Sequence, residues 1–333
     1  MANYGNVIQI GGGLIINILI GFVTVKLGIF PTKSIPVLNK FLLKICFLPL
    51  MAKSIWQRDL SSLSIMPFAV GACANISLHL LMAVIFFIPF KDSFKIYLST
   101  ILPTIYVNYL IIGFPLFNAI WPENENVMIS VQALSNDPIS VTLFLLLANI
   151  YKIREANKKH KMLEDGLEEK FSLKILLNII LRVILNPIIL GIVLGFIYAA
   201  TKFDKCPFLD KLLTYLQGSV LSLCLFCVGG FLSQNSLIAA NFIRFVVSVL
   251  LRHIVFPLFI ALFCYAFKVN GKLSRQCIIM GCLPSASASF PLEAEADLKP
   301  GLASTLIFWT TIFCVPFQIL WLFVMNHFNI FPE

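Results

Sequence analysis

The sequence predicts an all-α polytopic membrane protein with ten transmembrane helices. First, 59% of the 333 residues are hydrophobic and only 12% are charged, whereas a soluble domain carries about 25% charged residues. Second, apolar segments long enough to cross a bilayer, which takes about 20 residues, recur along the whole chain. Third, two of these segments are interrupted by prolines at corresponding places in the two halves. Together these observations indicate a bilayer as the solvent.

The apolar segments can be read in order along the chain. They lie at roughly 7–29, 36–56, 66–90, 94–121, 127–150, 172–200, 208–232, 241–266, 273–297 and 301–327. A polar stretch from Tyr151 to Lys170 divides them into five and five. An odd number of spans per half inserts the second half upside down. We therefore expect two inverted five-helix repeats, at about 1–150 and 172–333, joined by a central loop at about 151–171.

Basic residues predict the orientation of the chain. With the N-terminus outside, about fourteen Lys and Arg residues fall near inner span ends and about eight near outer ones. The central region contributes half of the inner ones: Lys152, Arg154, Lys158, Lys159, Lys161, Lys170 and Lys174. We expect a multi-pass protein of the plasma membrane or endoplasmic reticulum, with a cytoplasmic central loop and both termini non-cytoplasmic. The same distribution explains the net charge of +9 without a nucleic-acid partner.

Prolines interrupt the fourth and ninth segments. The fourth contains Pro103 and Pro115, and the ninth contains Pro284 and Pro291. Each proline removes a backbone donor and clashes with the preceding turn. Unpaired backbone at membrane depth is tolerated only inside protein or beside a watery cavity. Because paired interrupted helices mark the binding site of secondary transporters, these segments predict a transporter with its site at the breaks.

The predicted substrate-binding residues lie beside these breaks: Asn108, Gly113, Pro115, Ser287, Ser289 and Pro291. Asn108 offers two donors and an acceptor, enough to hold a carboxylate, next to half-helix N-termini with free N–H groups. The alternative is that Asn108 only repairs the broken backbone. We interpret the two prolines as the residues at the helix crossing, rather than simple kinks. Gly113 would permit close approach there, while the serines could bind ligand or allow tight packing.

Three titratable residues inside apolar segments are candidates for an ion or proton site. Asp137 lies in the fifth segment, Glu293 follows the break in the ninth, and His79 lies in the third. Carboxylates at membrane depth are costly and usually functional. For His79 the alternative is a neutral, hydrogen-bonded interior histidine. No metal site is predicted, since Cys224 and Cys227 lack a second pair or a His cluster. No cofactor or enzyme is predicted, because no Ser–His–Asp order, paired-carboxylate scheme or phosphate motif is found.

The fourth segment resembles a family signature. Its run Asn108-Tyr109-Leu110-Ile111-Ile112-Gly113-Phe114-Pro115-Leu116 is similar to the Asn-x-x-x-x-Gly-[Ile/Leu]-Pro-Leu pattern of the auxin efflux carrier family. That family includes the plant PIN-formed exporters and bacterial dicarboxylate carriers. The ninth segment, with Leu283-Pro284 and Phe290-Pro291-Leu292, resembles the second crossover helix of the family. Leu185-Asn186-Pro187 and Arg244-Phe245 agree in order and spacing.

The resemblance implies a fold with crossing fourth and ninth helices, as in sodium–bile acid symporters and sodium–proton antiporters. The first, second, sixth and seventh helices would form a scaffold. The third to fifth and eighth to tenth would form a mobile transport domain.

The resemblance also implies a function. The expected protein is a secondary active or potential-driven carrier that exports a small organic anion, auxin-like or another carboxylate, by an elevator-type mechanism. Two alternatives remain: a transporter-like membrane sensor, and a sodium- or proton-coupled organic anion symporter. The expected partners are the organic anion and the lipid bilayer, with a homodimer as one option for assembly.

Overall fold

The computed structural model describes residues 4–56, 63–163, 170–201, 206–234, 238, 241–298 and 301–332. Within these residues the regular structure is helical, apart from a single antiparallel bridge between Val107 and Ser285. Residues 164–169 of the predicted central loop lie outside the described residues.

The helices follow the apolar segments. Those of the first half are α1 (Tyr4–Lys26), α2 (Ser34–Phe41), α3 (Phe47–Trp56), α4 (Met66–Met82), α5 (Ser93–Ile105), α6 (Phe114–Ile120), α7 (Val127–Ala133) and α8 (Thr142–Leu163). Those of the second half are α9 (Leu173–Ile184), α10 (Pro187–Thr201), α11 (Pro207–Leu232), α12 (Phe242–Leu250), α13 (Phe256–Ala266), α14 (Gly271–Gly281), α15 (Ser289–Glu295) and α16 (Gly301–His327). In these terms the predicted scaffold comprises α1–α3 and α9–α11, and the predicted transport domain comprises α4–α8 and α12–α16.

Several of the described helical segments are long and apolar enough to cross a membrane. Seven pass this test alone, and an eighth is obtained when α9 and α10, which bend by 57°, count as one span. The seven are Ile8–Lys26, Ser34–Trp56, Met66–Phe87, Glu123–Lys161, Pro207–Leu232, Phe242–Ala266 and Gly301–His327. A helical protein with many membrane spans is therefore confirmed. The count of ten and the inverted repeat stay predictions, because the fourth and ninth segments are each split into shorter helices.

The breaks lie upstream of Pro115 and Pro291, the two prolines predicted to stand at the helix crossing. The first half-helix of the fourth segment ends at Ile105, and helical structure resumes at Tyr109. Pro115 is the second residue of α6, and Pro291 is the third residue of α15. The first turn of a helix tolerates proline because its N–H groups have no intrahelical partner. Pro291 therefore stands in the first turn of its half-helix. Pro115 lies inside the helix Tyr109–Ile120, where its π-helical first part, Tyr109–Gly113, gives way to α6. Neither proline lies in a break.

Close contacts join helices of the two halves. Helix α1 packs against α11, and α3 packs against α10. Small residues permit this: a Cβ added at Gly195 would lie 2.7 Å from the carbonyl oxygen of Ala52, and one at Gly21 would collide with the backbone of Phe226. Backbones approach this closely in membranes where glycines line the interface. The helices of the predicted scaffold are thus in mutual contact. Movement of the transport domain relative to this scaffold remains a prediction.

Candidate functional site

The two broken segments meet at their breaks and pair through the backbone. The amide of Asn108 donates to the carbonyl of Pro284 at 2.9 Å, and the amide of Ala286 donates to the carbonyl of Tyr106 at 2.8 Å. Each break therefore satisfies polar groups that the other leaves without a helical partner, which is required where water is scarce. We call this pairing, residues 106–108 with 284–286, the crossing.

The first break is held by two asparagines. Asn136 reaches it from the side: its Nδ2 donates to the carbonyl of Val107 at 2.7 Å, and its Oδ1 accepts from the same residue's amide at 3.4 Å. The Oδ1 of Asn108 accepts from the amide of Ile111 at 3.4 Å, at the start of the helical turn Tyr109–Gly113. No other side-chain hydrogen bond of Asn108 is found among the described residues. Asn108 therefore repairs the backbone through its oxygen and keeps its Nδ2 available as a donor.

Asp137 lies behind the first break and connects it to the bend between α9 and α10. Its Oδ1 accepts from the hydroxyl of Tyr106 at 3.2 Å and from the Nδ2 of Asn186 at 2.9 Å. The side chain of Asp137 is buried. Asn186 stands at the bend, where its Oδ1 accepts from the amide of Ile188 at 3.0 Å. The predicted ion or proton candidate Asp137 is thus brought next to the crossing by contacts with two neutral donors.

The second break is held by a buried cation. Arg252 is completely buried, and its Nε donates to the carbonyl of Leu283 at 2.9 Å while its Nη2 donates to that of Gly281 at 3.0 Å. Gly281 is the last residue of α14 and Leu283 lies two residues beyond it, and the C-terminus of a helix attracts positive charge. On the other side, the hydroxyl of Thr310 accepts from the amide of Ser285 at 3.0 Å. Sequence reasoning assigned Arg252 no role, although a charged residue inside the apolar segment 241–266 is itself a signal of function.

Gly113 and the two predicted serines lie around the crossing. A Cβ added at Gly113 would lie 2.9 Å from Cδ1 of Leu283, so the glycine permits contact between the two broken segments. Ser289 is fully buried, and its hydroxyl donates to the carbonyl of Ala286 at 2.8 Å. Ser287 is half-buried. Ser287 is therefore better placed than Ser289 to offer a hydrogen to a ligand.

Glu293 is fully buried, and neither carboxylate oxygen has a hydrogen-bond partner among the described residues. The guanidinium of Arg244 donates to the hydroxyls of Thr100 and Ser99, at 2.7 and 2.6 Å, and not to Glu293. An ionised carboxylate buried without a partner costs several kcal/mol. This environment suits a residue that carries a proton.

His79 does not belong to the crossing. It is buried, and its Nδ1 lies 2.6 Å from the hydroxyl of Tyr97. Tyr97 precedes Tyr106 by nine residues, which corresponds to about 13 Å along a helix. The contact favours the alternative of a neutral interior histidine.

An open cavity of about 230 Å³ lies between α8, α9 and α15. Its polar lining is formed by Asn149, Lys152, Asn178, Arg182 and Glu295. Both terminal nitrogens of Arg182 donate to the carboxylate of Glu295, each at 2.7 Å. Because α8 leads into the central loop, we call it the loop-side cavity. Sequence reasoning missed it, since its walls come from three segments that are distant in the chain.

Comparison with known proteins supplies the family. The sequence pattern of the family described as Membrane transport protein matches residues 13–322. Auxin efflux carrier component 8 of Arabidopsis thaliana is 24% identical over 119 residues, covering 35% of this chain and 32% of that protein. Auxin efflux carrier component 3a of Oryza sativa subsp. japonica is 24% identical over 119 residues, covering 35% of this chain and 19% of that protein.

The aligned region therefore spans at most about a third of either relative. The family pattern, by contrast, extends from the first span to the last and includes both breaks of the crossing. The chain belongs to the membrane transport protein family, which is the family of the auxin efflux carriers.

Proposed function

We propose that the protein is a secondary carrier for a small organic anion and that it binds the anion's carboxylate at the crossing. The Nδ2 of Asn108 carries this proposal, because it is a free amide donor in a buried backbone break. Helix Tyr109–Ile120 begins directly after it, and a helix N-terminus is favourable for negative charge. Together they offer hydrogen bonds to a carboxylate without placing a fixed positive charge there.

The proposed movement is of the elevator type, with the crossing carried as one body. The groups that hold the crossing support this: Asn136 lies between α7 and α8, Arg252 between α12 and α13, and Thr310 in α16. All three belong to the predicted transport domain. A slide of that domain past the scaffold would leave their hydrogen bonds to the breaks intact.

Export of an anion does not require a coupled ion. In a cell that is negative inside, one exported negative charge gains about 2.3 kcal/mol per 100 mV. We therefore propose the membrane potential as the driving force. Proton coupling is the second candidate, because Glu293 is buried without a hydrogen-bond partner among the described residues.

Counterflow in liposomes tests the function. Purified protein is reconstituted into liposomes loaded with an unlabelled carboxylate, and uptake of the labelled compound is followed for a panel that includes indole-3-acetate and succinate. We expect accumulation of at least one carboxylate without any ion gradient, and none in protein-free liposomes.

Other outcomes of this assay would replace the proposal. Carboxylate binding without counterflow would identify a sensor. Accumulation only with a proton or sodium gradient would identify a coupled symporter.

A further inference from the structure

Ion pairs in the described residues differ in whether they connect the predicted scaffold to the transport domain. The pair Lys53–Asp210, at 3.1 Å, joins α3 to α11 and lies within the scaffold. Another pair joins α14 to the turn before α7 and lies within the transport domain. Arg182–Glu295, by contrast, joins scaffold helix α9 to transport helix α15. This pair must open if the two parts slide past each other.

The geometry of this pair is that of carboxylate recognition. The guanidinium of Arg182 grips the carboxylate of Glu295 through two hydrogen bonds of 2.7 Å. Such a fork matches the planar carboxylate and is selective for it. The side chains remain 46% and 59% exposed, and an ion pair in that much water contributes little to stability. Another carboxylate can therefore replace Glu295 without a large penalty.

The loop-side cavity has room and further donors for such a carboxylate. Its volume is about 230 Å³, and the amide side chains of Asn149 and Asn178 line it. Lys152 also lines it and donates one hydrogen bond, of 2.7 Å, to the backbone carbonyl of Glu295. The ammonium group has three donors, and the carboxylate of Asp297 lies 3.7 Å away. An anion that enters the cavity would therefore lie near two cations, Arg182 and Lys152.

A polar face leads from this cavity to the crossing. Asn178 and Arg182 are four residues apart and lie on one face of α9. Asn186, four residues further along the chain, lies at the bend that follows α9. Asn186 donates to Asp137, whose carboxylate accepts from Tyr106 at the first break. The face thus begins at the cavity and ends at the crossing.

We propose that the loop-side cavity is a loading site for the carboxylate of the transported anion. Arg182 is its receptor, and Glu295 is an internal carboxylate that occupies the receptor while no anion is bound. Arrival of the anion displaces Glu295 and opens the link between α9 and α15. This inference rests on the proposed function, since it takes the same anion as its ligand.

Equilibrium binding of labelled indole-3-acetate and labelled succinate to the purified full-length protein tests the inference. Arg182→Gln removes the receptor, and we expect affinity to fall at least about tenfold, as for loss of a charge-assisted hydrogen bond. Glu295→Gln removes the competitor, and we expect affinity to rise. Arg154→Gln, which changes an exposed arginine of α8 that does not line the cavity, should leave affinity unchanged.

The direction of these changes decides the inference. If Arg182–Glu295 were only a mechanical link, Arg182→Gln and Glu295→Gln would shift affinity in the same direction, which would overturn the loading site. Arg182→Lys keeps the charge without the fork and should fall between wild type and Arg182→Gln. Size-exclusion profiles identify any variant that fails to fold. If wild type binds no carboxylate, the proposed function itself falls, whereas wild-type binding that ignores Arg182 refutes only the loading site.

Discussion

Both breaks of the crossing expose backbone polar groups inside the protein, but different side chains form hydrogen bonds to them. The first, at residues 106–108, is held by neutral amides, with Asn136 bonded to Val107 and Asn108 bonded to Ile111. The second is held by the buried guanidinium of Arg252, which donates to the carbonyls of Gly281, the last residue of α14, and Leu283. Each break is short and buried, yet only the second is held by a cation.

This difference indicates that the two breaks have different roles. A charge buried with several hydrogen bonds fixes its surroundings, because removing one partner leaves the others unsatisfied at high cost. A neutral amide that has one free donor can bind a ligand and release it. We therefore expect the second break to serve mainly stability and the first to serve mainly recognition.

The largest effect expected from this comparison is the loss of Arg252. Arg252→Gln shortens the side chain and leaves the carbonyls of Gly281 and Leu283 without their donor, at about 1–3 kcal/mol for each unsatisfied group. We expect a strongly lowered apparent melting temperature, measured by size-exclusion chromatography after heating. The exposed Arg154→Gln serves as the control. A melting temperature equal to that of wild type would show that the second break does not depend on the buried charge.

A smaller effect is expected at the first break. Asn136→Ala removes two neutral hydrogen bonds to Val107, whose net value is about 0.5–1.5 kcal/mol each. The melting temperature should fall by less than in Arg252→Gln but by more than in Asn149→Ala, since Asn149 bonds only within its own helix, to Leu145. If Asn136→Ala were as damaging as Arg252→Gln, the two breaks would not differ in the way described.

The membrane spans and the broken segments could be predicted from the sequence for clear physical reasons. Hydropathy identifies spans because lipid admits few charges, and prolines identify interrupted helices because they remove donors. The breaks are predicted at Asn108–Pro115 and Ser285–Pro291, and these ranges extend too far along the chain, because helical structure resumes already at Tyr109 and Ser289. The extended residues are stabilised by pairing between distant segments, which local sequence does not encode.

The candidate site could be predicted only in part. Asn108 and Gly113 stand at the crossing, as their place beside the breaks suggested. Asp137 was a candidate only because it is a carboxylate inside the fifth segment, and the fold brings it next to the crossing. Arg252 and Asn186 were not assigned roles, because each acts through backbone or side chains of another segment. The sequence marks them only as polar residues inside apolar segments, and this does not reveal which residues they contact.

The most direct test of the central claim, that the first break binds the anion, is the affinity of Asn108→Ala for a labelled carboxylate that wild type transports. Losing a hydrogen bond to a charged group costs about 1.5–3 kcal/mol, so we predict roughly a tenfold to hundredfold weaker Kd with membrane expression near normal. Asn118→Ala, an exposed asparagine of the same half-helix, should bind as wild type does. An Asn108→Ala protein that binds and transports normally would contradict the claim, and one that fails to fold would assign Asn108 to the backbone alone.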